Sequence, residues 1–221
     1  MLSLFVMDVS GSTKLNNSEK ISQMLEKLTA DIHNWTKDLS FSYVNFRMGD
    51  ELFFVCDSVS VTLLTSFYIK LLWPFKAQPV KFGISASHDP LPEGNLEHWN
   101  APVIKQARTN LSKIKQSDVS DFFLTINGTN VDVINNVLYP YLTEITNQHS
   151  DMQRKAVLLS YCYTQQKEIA ETLNKSISTI SEHLKKGHKK QLTLIEAALQ
   201  NIDETDDLKL NINDTFKEYA K

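Results

Sequence analysis

The amino-acid sequence predicts an α/β fold with a mixed sheet, followed by an all-helical domain. Short β-prone apolar runs alternate with segments of helical periodicity through about residue 126. Beyond that point the strand pattern stops, and residues 151–201 have helical character throughout. Alternating strands and helices are typical of a sheet covered by helices, and the long helical run behind them indicates a second module.

The first strand is predicted over LSLFVMDV, an apolar run typical of a strand that is buried on both faces. An amphipathic helix follows over 18–38, where apolar residues recur at helical spacing. FSYVNFR and ELFFVCD then predict two strands, joined at Met48-Gly49-Asp50 as a hairpin. We therefore expect an α/β sheet with this antiparallel hairpin at its centre.

A second helix is predicted over 58–72, and the prolines after it break the chain. Pro79 suits the start of the strand VKFGISAS, where no ladder donor is needed. The third helix covers 101–115 with Pro102 in its first turn, and DFFLTI is the last strand. The predicted order is therefore β-α-β-β-α-β-α-β.

These patterns divide the chain into four parts. The sheet domain takes residues 1–128, a helical connector takes 129–149, and the helical domain takes 150–202. An acidic tail over 203–221 completes the chain, and we expect it to be loose.

Composition indicates an ordinary globular protein of 221 residues, 42% hydrophobic and 22% charged. Its two cysteines, Cys56 and Cys162, are too few for a disulfide framework and are predicted to be buried thiols. We recognise no signal peptide and no run of membrane-spanning length, so we expect a cytoplasmic protein with no membrane partner.

The charge is distributed unevenly along the chain. The formal net charge is −3, yet residues 151–190 carry eight Lys or Arg against four Asp or Glu. The segments on either side are both acidic. One basic segment between two acidic ones favours a local contact with nucleic acid.

The segment QKEIAETLNKSISTISEHLKKG, residues 166–187, has the features of two helices that cross at a turn. Ala170 is small enough for a close crossing, and Asn174 tolerates the positive φ of a turn. Ser176 or Ser178 can cap the second helix. The apolar anchors that helical spacing assigns to the two helices are Ile169, Leu173, Ile180 and Leu184.

This segment resembles the helix-turn-helix of bacterial transcription regulators, most clearly in EIA and STIS. In that motif the first residues of the second helix face the major groove, so the resemblance implies binding of double-stranded DNA. The residues placed in the groove are Ser178, Thr179, Glu182 and His183. The residues placed along phosphates are Lys185, Lys186, Lys189 and Lys190.

Such a motif reads a duplex tightly as a dimer, so we expect a homodimer. The alternative is a helical hairpin that serves as a dimer interface, with its lysines merely solvated.

Two carboxylates are predicted to meet at one end of the sheet, because Asp8 ends the first strand and Asp50 occupies the hairpin tip. Neighbouring carboxylates repel, and Mg²⁺ or Mn²⁺ relieves that repulsion and can hold a triphosphate. Glu51 follows Asp50 on a strand and is expected to point to the other face. The alternative is a plain hairpin turn, with Asp8 capping the first helix or pairing with Arg47.

The sequence is similar to the class III nucleotide cyclases and their palm-domain relatives, which implies a palm or ferredoxin-like mixed sheet. The pieces that carry the similarity are VMDVSGST, RMGDE, VKFGIS and APVIKQARTNL, in that family's order. Within this group the chain looks most like the SatD family, which couples such a domain to a carboxyl-terminal helix-turn-helix. The resemblance covers about residues 2–126 and 150–187.

The cyclase resemblance implies roles for individual residues. Asp8 and Asp50 would be metal ligands, with the backbone carbonyl of Val9 beside them. Arg108 would be the catalytic residue that steadies the charge on the transferring phosphate. The positions implied for nucleotide binding are Gly11, Ser12, Thr13 and Phe46, where the loop amides before the first helix would face phosphate oxygens.

Two departures from the cyclase pattern bear on activity. Cyclases usually carry an asparagine where Ile104 stands, and often a base-reading lysine where Phe46 stands. Losing a polar group aimed at the transition state costs about 3 kcal/mol of barrier. The departures therefore favour a regulator that binds DNA. Its palm-like domain would either sense a nucleotide or have lost the ability to bind one.

The retained Asp8, Asp50 and Arg108 favour the alternative, a metal-dependent nucleotidyl cyclase or related phosphoryl-transfer enzyme. A third interpretation is a scaffold that only dimerises, and it predicts neither DNA nor nucleotide binding.

Overall fold

The protein was analysed as a computed structural model that describes residues 1–12, 17–47, 50–92, 94, 96, 99–202 and 210–221. The strands are β1 Leu2–Val9, β2 Ser42–Arg47, β3 Glu51–Cys56, β4 Val80–Ser87 and β5 Phe122–Ile126. The helices of the first half are α1 Ser18–Trp35, α2 Val59–Leu72 and α3 Pro102–Lys115. The later helices are α4 Tyr139–Gln148, α5 Asp151–Cys162, α6 Gln166–Thr172, α7 Ile177–Lys186, α8 Lys189–Gln200 and α9 Asn213–Tyr219. A π-helical stretch, Ile134–Leu138, precedes α4.

The five strands form one mixed sheet in the order β2-β3-β1-β4-β5. All neighbouring pairs are antiparallel except β4 and β5, which are parallel. The predicted α/β class with a mixed sheet is confirmed. The prediction that the hairpin of β2 and β3 lies at the centre of the sheet is wrong, since β2 is an edge strand. The central strand is β1, which pairs with β3 on one side and β4 on the other.

The two faces of the sheet carry different helices. Phe5 and Met7 of β1 belong to the large core on the side of α1 and α2. Leu4 and Val6 belong to a smaller core under α3. Because side chains alternate along a strand, Asp8 lies on the α3 face, next in line after Val6.

The approach of α3 to the sheet depends on Gly83 in β4. A Cβ atom at this position would lie 2.1 Å from the carbonyl oxygen of Ala107 and 2.4 Å from the backbone nitrogen of Leu111. Real Cβ atoms do not come so close to backbone atoms, so only glycine lets α3 pack at this distance. This close contact fixes where the side chains of α3 meet the sheet.

Helix α2 lies between the sheet and the helical half of the chain. All of its residues are buried, including Ser60, Thr65 and Lys70. A largely apolar helix that is buried on every side is typical of such an interior position. Leu158 of α5 and Leu192 of α8 belong to the same core cluster as α2 and the sheet. The sheet domain and the helical domain therefore share one hydrophobic core.

The prediction of a loose acidic tail is wrong for residues 210–221. Helix α9 packs against α5, and Phe216 is fully buried. The indole Nε1 of Trp35 donates to Thr215 Oγ1 at 3.0 Å, and the Tyr219 hydroxyl donates to Asp31 Oδ2 at 3.0 Å. The acidic composition of the tail gave no sign of this short amphipathic helix, which contacts both α1 and α5.

Two smaller expectations concern the cysteines and the membrane. Both cysteines are free thiols; Cys56 is buried and Cys162 is partly exposed. Across the part of the chain that the structure describes, no helix is both long and apolar enough to cross a membrane.

Candidate functional site

Three carboxylates, Asp8, Asp50 and Glu51, lie together where β1 ends and β3 begins, and we call them the acidic group. Asp8 and Glu51 are direct partners in the β1–β3 register. Since Phe53 and Val55 of β3 pack under α3, alternation places Glu51 on that face as well. Glu51 therefore faces the same way as Asp8. The sequence reasoning gave Glu51 the lesser role because it considered β3 alone, without its register to β1.

Helix α3 supplies a cation to two of these carboxylates. The Lys115 ammonium lies 2.8 Å from Asp8 Oδ1. The Arg108 guanidinium donates two hydrogen bonds to Glu51, at 3.0 Å and 2.8 Å. Residues seven positions apart lie on the same side of a helix after two turns, so one face of α3 provides both cations. Arg108 is close to the acidic group, as the resemblance implied, and it is held there by Glu51.

The third carboxylate has a hydroxyl partner, since the Ser12 hydroxyl donates to Asp50 Oδ2. This contact joins the loop after β1 to the hairpin tip. The loop is held at a second point, where the Gln78 side-chain amide donates to the Gly11 carbonyl at 3.1 Å. Gly11 has φ of 68°, a left-handed conformation that glycine adopts at low cost. Gly11 and Ser12 are thus held in place by contacts with Gln78 and Asp50.

Burial raises the pKa of the Asp8 carboxyl above its ordinary value. The hydrogen bond and charge of Lys115 lower this pKa, while the negative charges of Asp50 and Glu51 raise it. The carboxylates therefore lie near enough to repel one another. A site of this kind favours a bound cation, and in this structure α3 provides it.

The other residues implied for nucleotide binding are placed as follows. Val9 is paired with Val80 in the β1–β4 ladder, at the end of the strand. Phe46 packs half-buried against the large core on the opposite face of the sheet, so it does not line the acidic group. Thr13 lies outside the described residues. Ile104 is buried in the small core under α3, where it makes apolar contacts.

The metal proposal depends on a limited donor set. Within the described ranges, no group of three or more His, Cys, Asp or Glu side chains is arranged to hold a metal ion. Mg²⁺ commonly takes only one or two carboxylates from the protein and completes its shell with water and phosphate. Asp8 and Asp50 fit that smaller requirement, provided that Lys115 leaves Asp8.

The second candidate surface is built by α6 and α7. The turn between them contains Asn174 with φ of 51°, the left-handed conformation that the sequence predicted for it. The Lys175 amide donates to the Ala170 carbonyl at 2.9 Å, which closes the turn. The Ser176 hydroxyl accepts from the Thr179 amide at 3.1 Å and so caps the start of α7. Ala170 and Ile180 are buried.

The helix before this pair supports it from behind. Val157 and Leu158 of α5 are buried with Ile169 and Ile180 in the shared core. Gly187, the residue that ends α7, is so close to α5 that a Cβ atom there would lie 2.9 Å from Val157 Cγ2. The His149 ring lies 2.9 Å by Nε2 from the Gly187 carbonyl oxygen. Both ends of α7 are therefore fixed against the rest of the protein.

One face of α7 stays in solvent. The exposed residues of this face are Ile177, Ser178, Ser181, Glu182, Lys185 and Lys186. Ser178 and Glu182, two of the residues that the sequence assigned to DNA contact, are therefore exposed. The Thr179 side chain points towards the start of the helix, with its hydroxyl 2.8 Å from that of Ser176. The Nδ1 atom of His183 is buried.

Sequence reasoning missed Ile177 and Ser181 on this surface. Ser181 is three residues after Ser178 and shares its side of the helix, so helical spacing alone would have found it. Ile177 is 51% exposed although it is apolar. No pattern in the sequence separates an exposed isoleucine from the buried Ile180 three positions later.

The four lysines near the end of α7 have different surroundings. Lys185 and Lys190 are exposed and form no ion pair with any other described residue. Lys186 pairs with Glu182 at 2.7 Å. The Lys189 Nζ lies 3.1 Å from the ring centroid of Tyr161, and burial lowers the pKa of this lysine to about 8. Lys189 is therefore held against Tyr161 of α5, and it lines the same groove as Lys185 and Lys190.

Lys185 and Lys190 border a groove of about 460 Å³ between α6, α7 and α8.

Comparisons of the chain with known protein families, with curated proteins and with solved structures found no match.

Proposed function

We propose that this protein is a DNA-binding regulator in which α6 and α7 form a helix-turn-helix and α7 enters the major groove. The observation that carries the proposal is the solvent face of α7. Its polar and basic side chains lie in solvent while the opposite side is fixed by Ile180, the turn at Asn174 and α5. A recognition helix needs this combination, since it must be held rigidly and still present its first residues to base edges.

Lys185 and Lys190 would contact phosphates on either side of the groove. Neither has an acidic partner among the described residues, so both charges are available to replace the counterions of DNA. Lys186 is a weaker candidate because Glu182 already neutralises it. Two copies of the chain would bind two half-sites as a homodimer, which is the usual way for one short helix to obtain high affinity.

For the sheet domain we propose a palm or ferredoxin-like fold of the SatD type that binds a nucleotide together with Mg²⁺ or Mn²⁺. The strand order β2-β3-β1-β4 and the acidic group at the β1 and hairpin ends support this. Binding would require Lys115 to exchange Asp8 for a phosphate, and Arg108 to exchange Glu51 in the same way. The bound and free states would then differ in the position of α3, which is the structural basis we propose for sensing.

The alternative function is a metal-dependent nucleotidyl cyclase or related phosphoryl-transfer enzyme. The proximity of Asp8, Asp50 and Arg108 favours it. Two observations favour binding without turnover. Ile104 packs in the apolar core under α3, and Phe46 lies across the sheet from the acidic group.

The DNA proposal is tested by measuring the affinity of the full chain for duplex DNA over a range of salt concentrations. We expect log K to fall linearly with log salt. The double variant Lys185→Ala/Lys190→Ala should bind more weakly and reduce the slope by about 2, since each phosphate contact contributes about 0.9. Lys20→Ala/Lys37→Ala removes two exposed lysines from the sheet domain and is the matched control. Equal slopes for both double variants would show that α7 is not the DNA-binding element.

The enzyme alternative is tested by incubating the protein with ATP, GTP, CTP and UTP in the presence of Mn²⁺ and analysing the products by mass spectrometry. A cyclic nucleotide formed by the wild type and not by Asp50→Ala would establish an enzyme. Binding of a nucleotide without any product is the outcome that the sensing role predicts.

A further inference from the structure

Ile177 is the first residue of α7 and interrupts an otherwise polar solvent face. It is 51% exposed, whereas Ile180 of the same helix is fully buried and Leu184 packs against the core. Ile177 follows the cap residue Ser176 directly, so it lies at the end of α7 that a helix-turn-helix inserts most deeply. In a DNA complex, an apolar side chain at this point would be stabilised by an apolar group in the groove.

The major groove offers one such group. Base edges there carry hydrogen-bond donors and acceptors, and thymine adds a C5-methyl group that only apolar side chains contact favourably. We propose that Ile177 contacts a thymine methyl group and gives the protein a preference for thymine at one position of each half-site. This inference rests on the proposed DNA-binding function and specifies what α7 reads.

The neighbours of Ile177 support a close approach to the base. Ser178 and Ser181 are exposed, and both side chains are short. The Ser178 hydroxyl lies 2.8 Å from that of Ser176, so it is held towards the helix start and away from the groove floor. No bulky side chain at these two positions separates Ile177 from a base pair. Serine pairs with either bases or phosphates, so the sequence preference at this end would come chiefly from Ile177.

The test starts from the full-length protein and a random-sequence duplex library. Duplexes retained by the wild type are enriched and sequenced, and each thymine of the enriched site is then replaced in turn by deoxyuridine. Deoxyuridine keeps the hydrogen-bonding pattern of thymine and lacks only the methyl group. The wild type should lose about fourfold in affinity at one position per half-site, the value expected for one buried methyl group.

Ile177→Ala should bind the thymine and deoxyuridine duplexes equally, because it has no side chain to reach the methyl group. Ile177→Val keeps a branched apolar side chain and should retain most of the discrimination. Both variants should keep the helical circular dichroism of the wild type, since Ile177 is half in solvent. Discrimination that disappears in Ile177→Ala and persists in Ile177→Val supports the inference.

Three outcomes would overturn the inference. A wild type that tolerates deoxyuridine at every position would refute the methyl contact while leaving DNA binding intact. An Ile177→Ala variant that dissociates into monomers in sedimentation, with an affinity loss independent of deoxyuridine, would assign Ile177 to a contact between copies. Failure to enrich any duplex would refute the proposed function and this inference together.

Discussion

The acidic group and the exposed face of α7 differ in whether their charged side chains have partners within the chain. In the acidic group, Asp8 and Glu51 each have a cation from α3 within 3 Å. On α7, Lys185 has no acidic partner among the described residues, and nor does its neighbour Lys190 on α8. Charges that are neutralised within the chain stabilise one arrangement of helix and sheet. Charges left without a partner are available to another molecule.

This difference bears on function. The proposed contact of Lys185 and Lys190 with DNA phosphates would need no internal rearrangement, because neither lysine has an acidic partner to displace among the described residues. The proposed metal-nucleotide would bind the acidic group only by displacing the α3 cations that already occupy it. Under the proposed functions, the first surface would suit constant recognition and the second a response that depends on the concentration of a ligand.

The largest effect is expected from moving α3 away from the sheet. Gly83→Ala would place a methyl group 2.1 Å from the Ala107 carbonyl, so α3 must shift and the unfolding free energy should fall by about 3 kcal/mol or more. Urea unfolding measures the change. Ser85→Ala, two residues on and on the same strand face, adds no atom and is the control. A variant as stable as the wild type would mean that α3 does not pack as described.

The next effect concerns how the end of α7 is held. Burial lowers the pKa of His149 to about 4, so the folded protein keeps this ring neutral and bound to Gly187. Below the ordinary His pKa of about 6.5 the unfolded chain takes up a proton and the folded chain does not. Stability should therefore fall between about pH 6.5 and 4, by at most about 3 kcal/mol.

Urea unfolding as a function of pH measures this loss. His149→Gln keeps a side-chain amide that can donate to the Gly187 carbonyl and does not titrate in this range. Its stability should fall less steeply between about pH 6.5 and 4. If both proteins lose stability in parallel, another group is responsible for the acid sensitivity.

The sequence predicted elements better than it predicted their contacts. The run LSLFVMDV gave β1 its observed bounds, and Pro102 marked the start of α3. Asn174 predicted the left-handed turn because few residues adopt that conformation. These features depend on residues near one another in the chain, where spacing and conformational preference act directly.

Contacts between distant elements escaped the sequence analysis. Nothing within α3 indicates that Lys115 meets Asp8, because that depends on how Gly83 positions the helix over β4. The docking of α9 was missed for a related reason, since Phe216 packs between Tyr68 of α2 and Tyr161 of α5. Residues that join separate elements reveal their roles only once the packing is known.

A smaller effect, on the affinity for Mn²⁺, is expected from removing the ion pair between Lys115 and Asp8. Lys115 is about half exposed, so its pair with Asp8 contributes little to stability, but it would compete directly with the proposed metal ion. Lys115→Met should strengthen Mn²⁺ binding about threefold, because a surface ion pair is worth up to about 1 kcal/mol. Calorimetry with Mn²⁺ measures the affinity, and Lys113→Met, on the same helix but without an acidic partner in the described structure, is the control. Unchanged affinity would mean that Lys115 does not compete with Mn²⁺ for Asp8.

The smallest effect concerns the one neutralised lysine of the α7 surface. Glu182 lies beside Lys186 at 2.7 Å, and both side chains are more than half exposed, so the pair is screened by salt. Glu182→Gln frees Lys186 for a phosphate and should raise DNA affinity about twofold at low salt, with the gain fading as salt increases. Glu171→Gln, on α6 beside Lys167, removes the same charge from a similar exposed pair. A gain confined to Glu182→Gln would show that charge balance on α7 itself sets the affinity, whereas equal gains from both variants would reflect only the net charge of the helical half.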